Sequence, residues 1–340
     1  RFPAGIEQVL SAIKERGMIP GLWLELEVVG INSPLAREVP DNWFFCRHGK
    51  RIIDHGRYQL DFRNPQVRTH ADQVLHRLVS EYGIGYMKMD YNINAGIGTD
   101  VNADSAGDGL LEHNRAYLNW LDGIFARYPN LVIENCGSGG MRMDYALLSR
   151  HSIQSSSDQT DYRRTAAIAA ACPSAVTPEQ CGVWSYPLPE GDEEEVIFNM
   201  VNALLVRIHQ SGLLTVVSPQ RRALVKEAIT LYKQIRQDIP HSIPFWPLGL
   251  PAFADQWLSL ALHCHRITYL AVWRLESASP SQVLPIKYLK GKEVQADCIY
   301  PSTHACQWQW QSQRGALSVS LPRENSARLF RLSEEHSPMD

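Results

Sequence analysis

Apolar and polar positions along the first 238 residues switch repeatedly between a helical and a two-residue period. Residues 5–17 read as a helix that stops near Gly17, and 19–27 as a strand. A second helix spans 65–82, where Val74, Leu75, Leu78 and Val79 fall on one face, and a strand follows over 83–92. The pattern continues with a helix at 109–128, a strand at 130–136, a helix at 141–150 and an unusually polar strand at 152–158. Residues 193–210 predict a helix whose acidic first turn suits the helix dipole, and 212–217 another strand. Ser218-Pro219 reads as an N-cap and first helical position, opening a helix to about residue 236. Strand–helix alternation of this kind predicts a parallel α/β domain.

The texture changes near residue 240. Pro240, Pro244, Pro247 and Pro251 fit an inter-domain link. Short β-like runs then follow at 256–264, 266–275, 283–289, 294–300, 305–311, 316–321 and 327–332, with a frayed tail from Glu334 to Asp340. We expect two domains: a partial (β/α)8 barrel over 1–238 and a small C-terminal antiparallel β-sandwich over 239–340. About six strand–helix units are visible, and the chain opens on a helix, so the first two barrel strands are expected to be missing. A doubly wound fold is the alternative, but no GxGxxG follows an early strand.

Composition narrows the function. The 340 residues are 44% hydrophobic and 20% charged, with 33 Lys and Arg against 36 Asp and Glu. A net charge of −3 gives no electrostatic footprint for nucleic acid or an anionic membrane. No apolar run approaches the roughly 20 residues of a membrane span. The seven scattered cysteines include no CxxC pair, so neither a disulfide framework nor a zinc signature is visible, and a cytoplasmic location is expected.

Barrel chemistry sits at the carboxyl ends of strands, and one parity of each strand faces the axis. In 83–92, Met87 and Met89 suit the helix side, leaving Tyr86, Lys88, Asp90 and Asn92 inward. An inward Lys and Asp are either a structural ion pair or a carboxylate kept ionised by a nearby cation, as a nucleophile must be. In 19–27 the inward set is Trp23, Glu25 and Glu27; an aromatic ring beside acids suits a sugar, although a strand-end Trp is often simply core. Strand 130–136 leads into Gly137-Ser138-Gly139-Gly140, a tight turn or a place where backbone approaches a ligand. Cys136 has no evident base and reads as a packing or substrate-contacting residue. Asp158 ends the strand at 152–158 on the inward parity, while Asp161 reads as an N-cap. Two carboxylates topping two strands, Asp90 and Asp158, are what glycoside hydrolysis requires.

The ordered motifs Gly21-Leu22-Trp23-Leu24-Glu25-Leu26-Glu27, Lys88-Met89-Asp90-Tyr91-Asn92, Cys136 to Asp144 and Ser157-Asp158-Gln159-Thr160-Asp161 resemble the α-galactosidases of glycoside hydrolase family 36. The resemblance implies a retaining α-galactosidase acting on oligosaccharides such as melibiose or raffinose, with Asp90 as nucleophile and Asp158 as general acid/base. It further implies that Lys88 bonds sugar hydroxyls, that Arg57 holds the sugar, and that Trp23, Cys136, Gly139 and Asn92 line the galactose pocket. No cofactor and no metal is implied, and the full-length protein is expected to be a homo-oligomer. Met89, Leu26 and Met143 depart from the family's Trp, Pro and Phe. The family also carries a large β domain and two barrel strands ahead of the point where this chain starts, so a fragment of a longer product is expected. The rival readings are an α-N-acetylgalactosaminidase, a galactosyl-transferring synthase and a non-catalytic galactoside-binding remnant.

Other signals are weaker. His263-Cys264-His265 has no third metal ligand in view. Trp308 and Trp310 read as sandwich core or domain interface, the acidic run 192–195 as a helix start, and Asp61 and Asp144 as loop braces.

Overall fold

The computed structural model describes residues 2–334; the expected frayed tail lies, from residue 335 on, outside the described residues. The chain divides into two compact units, residues 1–155 and 156–340.

In the first unit, strands β1 (Gly21–Leu24), β2 (Tyr86–Met89), β3 (Val132–Asn135) and β4 (Ile153–Ser155) pair in parallel in that order. Helices α1 (Ile6–Glu15), α2 (Pro65–His76), α3 (Ala106–Arg127) and the single turn α4 (Tyr145–Leu148) alternate with them. Asn64 caps α2, its side chain accepting from Gln66 N at 2.9 Å with Pro65 in the first turn, and Ser105 Oγ accepts from Asp108 N at 3.1 Å to start α3. The register aligns Leu22, Met87 and Ile133 in one row and Trp23, Lys88 and Glu134 in the next. Adjacent rows face opposite sides of the sheet. Met87, Met89 and Ile133 pack with Leu75 of α2 and Leu121 and Ile124 of α3, with Leu22 and Leu24 against them, so the parity read from the sequence holds. Trp23, Lys88 and Glu134 are left on the other face.

The structure trims several sequence-based elements. The expected strand 19–27 ends at Leu24: the chain turns at Leu26 and Glu27 and enters an antiparallel pairing of Val28–Gly30 with Arg57–Gln59. The helix expected over 141–150 shrinks to α4, capped by Asp144, whose Oδ1 accepts from Leu147 N at 3.0 Å. The polar strand expected over 152–158 is only β4.

In the second unit, β5 (Cys181–Ser185) and β6 (Arg207–Gln210) pair in parallel. They accompany α5 (Tyr162–Ala171), α6 (Glu193–Leu204) and α7 (Pro219–Ile235). The sequence reading ran α6 on to Gln210 and placed a strand at 212–217. Instead α6 stops at Leu204, residues 207–210 are β6, and 212–217 is a turn region. The apolar run Ala203-Leu204-Leu205-Val206 hides this boundary, because pairing with β5 overrides a pattern that carries no breaker. The sequence reading marks only the N-cap of α5, at Asp161, and gives neither the body of that helix nor β5. An Ala-rich helix burying Ala166, Ala167, Ala169 and Ala170 shows no large-residue stripe.

Beyond α7 come β7 (Ile243–Phe245), β8 (Trp257–Cys264), β9 (Ile267–Arg274), β10 (Ser281–Pro285), β11 (Val294–Tyr300), β12 (Gln307–Gln311), β13 (Ala316–Ser320) and β14 (Ser326–Glu334). They form two antiparallel sheets, β7-β8-β9-β14-β11 and β10-β13-β12. Trp257, Ala261, Leu270, Leu284, Leu317 and Phe330 fill the space between them, which is the expected sandwich. The alternate residues Leu258, Leu260, Leu262, Trp273 and Leu329 pack instead with Val196, Val201 and Leu204 of α6. Both faces of β8 and β9 are therefore buried, and the strands read as continuous apolar runs.

One buried ion pair ties α6 to β14. Glu194 Oε1 and Oε2 accept from Arg328 Nη2 at 2.7 Å and Nη1 at 2.9 Å, and Arg328 is only 1% exposed. Removing one partner strands the other charge in a low-dielectric site. We predict that Glu194→Ala lowers stability by about 3–5 kcal/mol in urea unfolding, whereas Glu194→Gln, which keeps one acceptor, costs less.

Candidate active site

Asp90 stands one residue beyond β2, mostly buried, and its backbone N–H donates to Leu24 O at 3.0 Å. Parallel pairing of β1 and β2 thus delivers the carboxylate beside the end of β1. Asp90 Oδ2 accepts from Trp23 Nε1 at 3.1 Å. Oδ1 accepts from Tyr91 N at 2.9 Å and Ser138 N at 3.3 Å. Asn92 and the Cys136 thiol also bond to the carboxylate. Burial pushes the Asp90 pKa up, but the hydrogen bonds from Asn92, Trp23, Cys136 and Tyr91 N–H outweigh it, and the net shift is below the ordinary carboxylate value.

The sequence reading gave the task of ionising Asp90 to a nearby cation. In the structure neutral donors do it, while Lys88 pairs with Glu134 Oε1 at 3.4 Å and Tyr86 OH donates to the same carboxyl group. Raised by burial and by the neighbouring Asp90 charge, the Cys136 thiol lies at about 11, so it is a neutral donor rather than a nucleophile.

A second layer orients the first. Arg57 Nε donates to Glu25 Oε2 at 2.9 Å, and Glu25 Oε1 accepts from Asn92 Nδ2 at 2.8 Å. Asn92 Oδ1 accepts from Ser138 N at 3.0 Å and Ser138 Oγ at 2.6 Å. Two donors on the oxygen fix the amide orientation and leave its nitrogen for the acids. Ser138 adopts φ 45° and Gly139 φ 79°. A serine in the left-handed region is uncommon, and here the conformation aims both Ser138 donors at Asn92.

The loop is anchored from below. Arg142 Nη1 donates to Glu27 Oε1 at 2.5 Å and Nη2 to Oε2 at 3.2 Å, with the guanidinium 4.2 Å from the Tyr91 ring centre. His113 Nε2 lies 3.7 Å from the same carboxylate. Burial raises the Glu27 pKa, but Arg142 and His113 lower it further, to about 2. A depressed carboxylate stabilises the fold above its unfolded pKa of roughly 4.3, and that contribution is lost as pH falls through about 2. Asp61 is a loop brace as expected, its Oδ2 2.6 Å from Arg63 Nη2. A cavity of about 690 Å³ opens beside these residues, bordered by Tyr91, Asn92, Ser138 and Arg142 and by Leu110 and Leu118 of α3.

The first unit therefore gathers Trp23, Arg57, Asp90, Asn92, Cys136 and Gly139 around one loop, with Lys88 on the adjoining strand face. Asp158 belongs to the second unit and stands exposed between Ser155 and α5, while Asp161 caps that helix, accepting from Arg163 N at 3.0 Å. Sequence reasoning missed Ser138, the Glu27–Arg142 pair and the Glu25 bridge. The pair joins residues 115 apart, and only an arginine after a glycine cluster hinted at it. Among the described residues no three or more His, Cys, Asp or Glu converge as metal ligands, and no helix is long and apolar enough to cross a membrane.

Parallel strands followed by helices, with a charged carboxylate at a strand end, define the first unit as part of a TIM-type barrel domain. Comparison with known proteins is specific. A family model described as melibiase matches residues 1–239, and the chain belongs to that family. It is 30% identical over 166 residues to an alpha-galactosidase of Escherichia coli, covering 47% of this chain and 22% of that protein. The bifunctional alpha-galactosidase/sucrose kinase AgaSK of Mediterraneibacter gnavus is 23% identical over 318 residues, 88% of this chain and 31% of that protein. Among solved structures, the galactosidase domain of AgaSK aligns with a TM-score of 0.82 at 20% identity, over 97% of this chain and 46% of that one. The GH36 alpha-galactosidase AgaA of Geobacillus stearothermophilus, in complex with raffinose, gives 0.81 at 18% identity, covering 98% and 47%. These likenesses show the fold, a TIM-type barrel portion followed by antiparallel sheets. The chain spans under half the length of these solved structures and at most about a third of these curated relatives.

Trp23→Phe removes one hydrogen bond to a charged oxygen while keeping an aromatic ring. We predict that it raises the Asp90 pKa by about one unit, equivalent to about 1.4 kcal/mol, read by carboxyl NMR titration. The form that needs ionised Asp90 is then lost at a higher pH as the solution is acidified.

Proposed function

We propose that this chain carries the catalytic machinery of a retaining α-galactosidase. The observation that carries the reading is Asp90: a mostly buried carboxylate held charged by donors from β1, the backbone just after β2 and the glycine loop, at the strand end where barrel chemistry occurs. The melibiase family match and the raffinose bound to AgaA support an α-galactoside as substrate.

In this reading Asp90 attacks the anomeric carbon as the glycosidic bond breaks, and Asp158 gives its proton to the departing oxygen. The aglycone leaves as an alcohol, with galactose bound covalently to Asp90. Asp158, now a carboxylate, takes a proton from water as the water oxygen attacks the same carbon and frees Asp90 with retained configuration. Asn92 and Trp23 hold Asp90 ready for attack and accept no covalent role. Arg57, tied to Glu25, and Lys88 present cationic donors to sugar hydroxyls, while Gly139 leaves room for the ring. We place the barrel over 1–238 and the sandwich over 239–340; the family match ending at residue 239 supports that division. Seven unpaired cysteines support a reducing, cytoplasmic setting.

The test is chemical rescue. Asp90→Ala is expected to slow turnover of nitrophenyl α-galactoside by about a thousandfold or more. Azide added to that variant restores nitrophenol release and yields the β-galactosyl azide, because azide enters from the face that Asp90 vacates. An α-azide, or full activity in the variant, contradicts the assignment. Turnover of nitrophenyl α-N-acetylgalactosaminide in place of the galactoside moves the substrate class to the acetamido sugar.

A further inference from the structure

The second unit holds two pairs of touching cysteines, and they differ in access. Cys172 and Cys181 bond to each other but are both buried, Cys181 completely. Cys298 on β11 and Cys306 just before β12 also bond to each other, and both are half-buried. They border the sandwich core beside Trp310. The Cys298 sulfur also lies 3.6 Å from Tyr300 O, at the irregularity where β11 loses register with β14.

A cation sits beside this pair. Arg328 is almost fully buried, engages Glu194 through Nη1 and Nη2, and donates from Nη2 to Ala305 O at 3.3 Å, one residue before Cys306. Its Nε finds no hydrogen-bond partner among the described residues, and the bond to Ala305 O holds its charge next to Cys306, where it favours the thiolate. Buried guanidinium donors seek acceptors, and a Cys306 thiolate supplies one. The chain between the two cysteines is tethered to the helices: Ser302 N donates to Glu227 Oε1 of α7 at 2.7 Å, and His304 Nε2 lies 3.1 Å from Glu193 Oε2 of α6.

We propose that Cys298 and Cys306 form a peroxide-responsive thiol pair, with Cys306 the attacking sulfur, and that its disulfide fixes the 301–305 segment against α6 and α7. Cys306 thiolate attacks one oxygen of a hydroperoxide, forming a sulfenic acid and releasing the other oxygen as water or alcohol. The Cys298 sulfur then displaces hydroxide from the Cys306 sulfur; the hydroxide leaves as water with the Cys298 proton. The two thiols lose two electrons in total, and the peroxide gains them. Acidity is consistent with these roles: the hydrogen bond from Cys298 lowers the Cys306 pKa, burial opposes this, Arg328 adds to it, and the result is about 7. Cys298 is shifted upward by the same bond and by burial. Cys172 and Cys181 touch as well but lack an approach for peroxide, so they serve as an internal control.

The experiment treats the chain with one equivalent of hydrogen peroxide at pH 7.5, then alkylates and maps the peptides. The expected result is loss of two of the seven thiols, a peptide linking Cys298 to Cys306, and full recovery with dithiothreitol. In Cys298→Ser, Cys306 is expected to appear as a dimedone-trapped sulfenic acid; in Cys306→Ser, Cys298 stays reduced. Retention of all seven thiols in the unmodified protein, or a link between any other pair, overturns the proposal without recourse to the variants. Oxidation of Cys298 in Cys306→Ser at the original rate overturns the assignment of the attacking sulfur.

Discussion

A carboxylate that must stay charged where burial opposes charge is the constraint on which the first unit is organised. Asp90 meets it with hydrogen bonds rather than with a direct cation. Its donors come from three stretches far apart in sequence: the indole of β1, the backbone just after β2, and the glycine loop after β3. Each donor is useful only where it is held. Parallel pairing holds Trp23, Asn92 holds the Ser138 amide, and Glu25 holds Asn92. Neutral donors leave the carboxylate negative and open to an electrophile, whereas a bidentate cation would occupy both oxygens.

The cations serve at one remove. Arg57 and Arg142 both engage glutamates of the β1 exit, Glu25 just before the turn and Glu27 within it. The Glu27–Arg142 pair is the deeper, and it fixes the loop that carries Cys136, Ser138 and Gly139. A buried pair of this kind is costly to form and costlier to break, so its worth lies in holding one loop conformation. The second unit repeats the device in Glu194–Arg328, which joins a helix to the sandwich.

Much of this was legible in the sequence because a strand's parity survives without knowledge of the fold. Met87 and Met89 went to the helix side, and Trp23 and Lys88 to the other, as alternation alone indicates. Helix starts with chemical signatures, at Asp161, Asp192 and Ser218, were read correctly. The failures have physical causes. The α6–β6 boundary carries no breaker, so only pairing with β5 reveals it. Ala-rich α5 presents no stripe. Ser138 and Arg142 act through contacts with residues 46 and 115 positions away, which no local pattern encodes. Asp158 was reached through motif and parity, but the expected strand end is an exposed coil.

The most direct test of the account is covalent trapping at Asp90. A fluorinated α-galactosyl donor with a good leaving group forms the glycosyl–enzyme rapidly and releases it slowly, so the intermediate accumulates. Peptide mapping after incubation is predicted to find the fluorosugar esterified to Asp90, with none in Asp90→Asn. A label on another carboxylate, or turnover with retained configuration and an unlabelled Asp90, would contradict the claim that this carboxylate is held charged in order to attack.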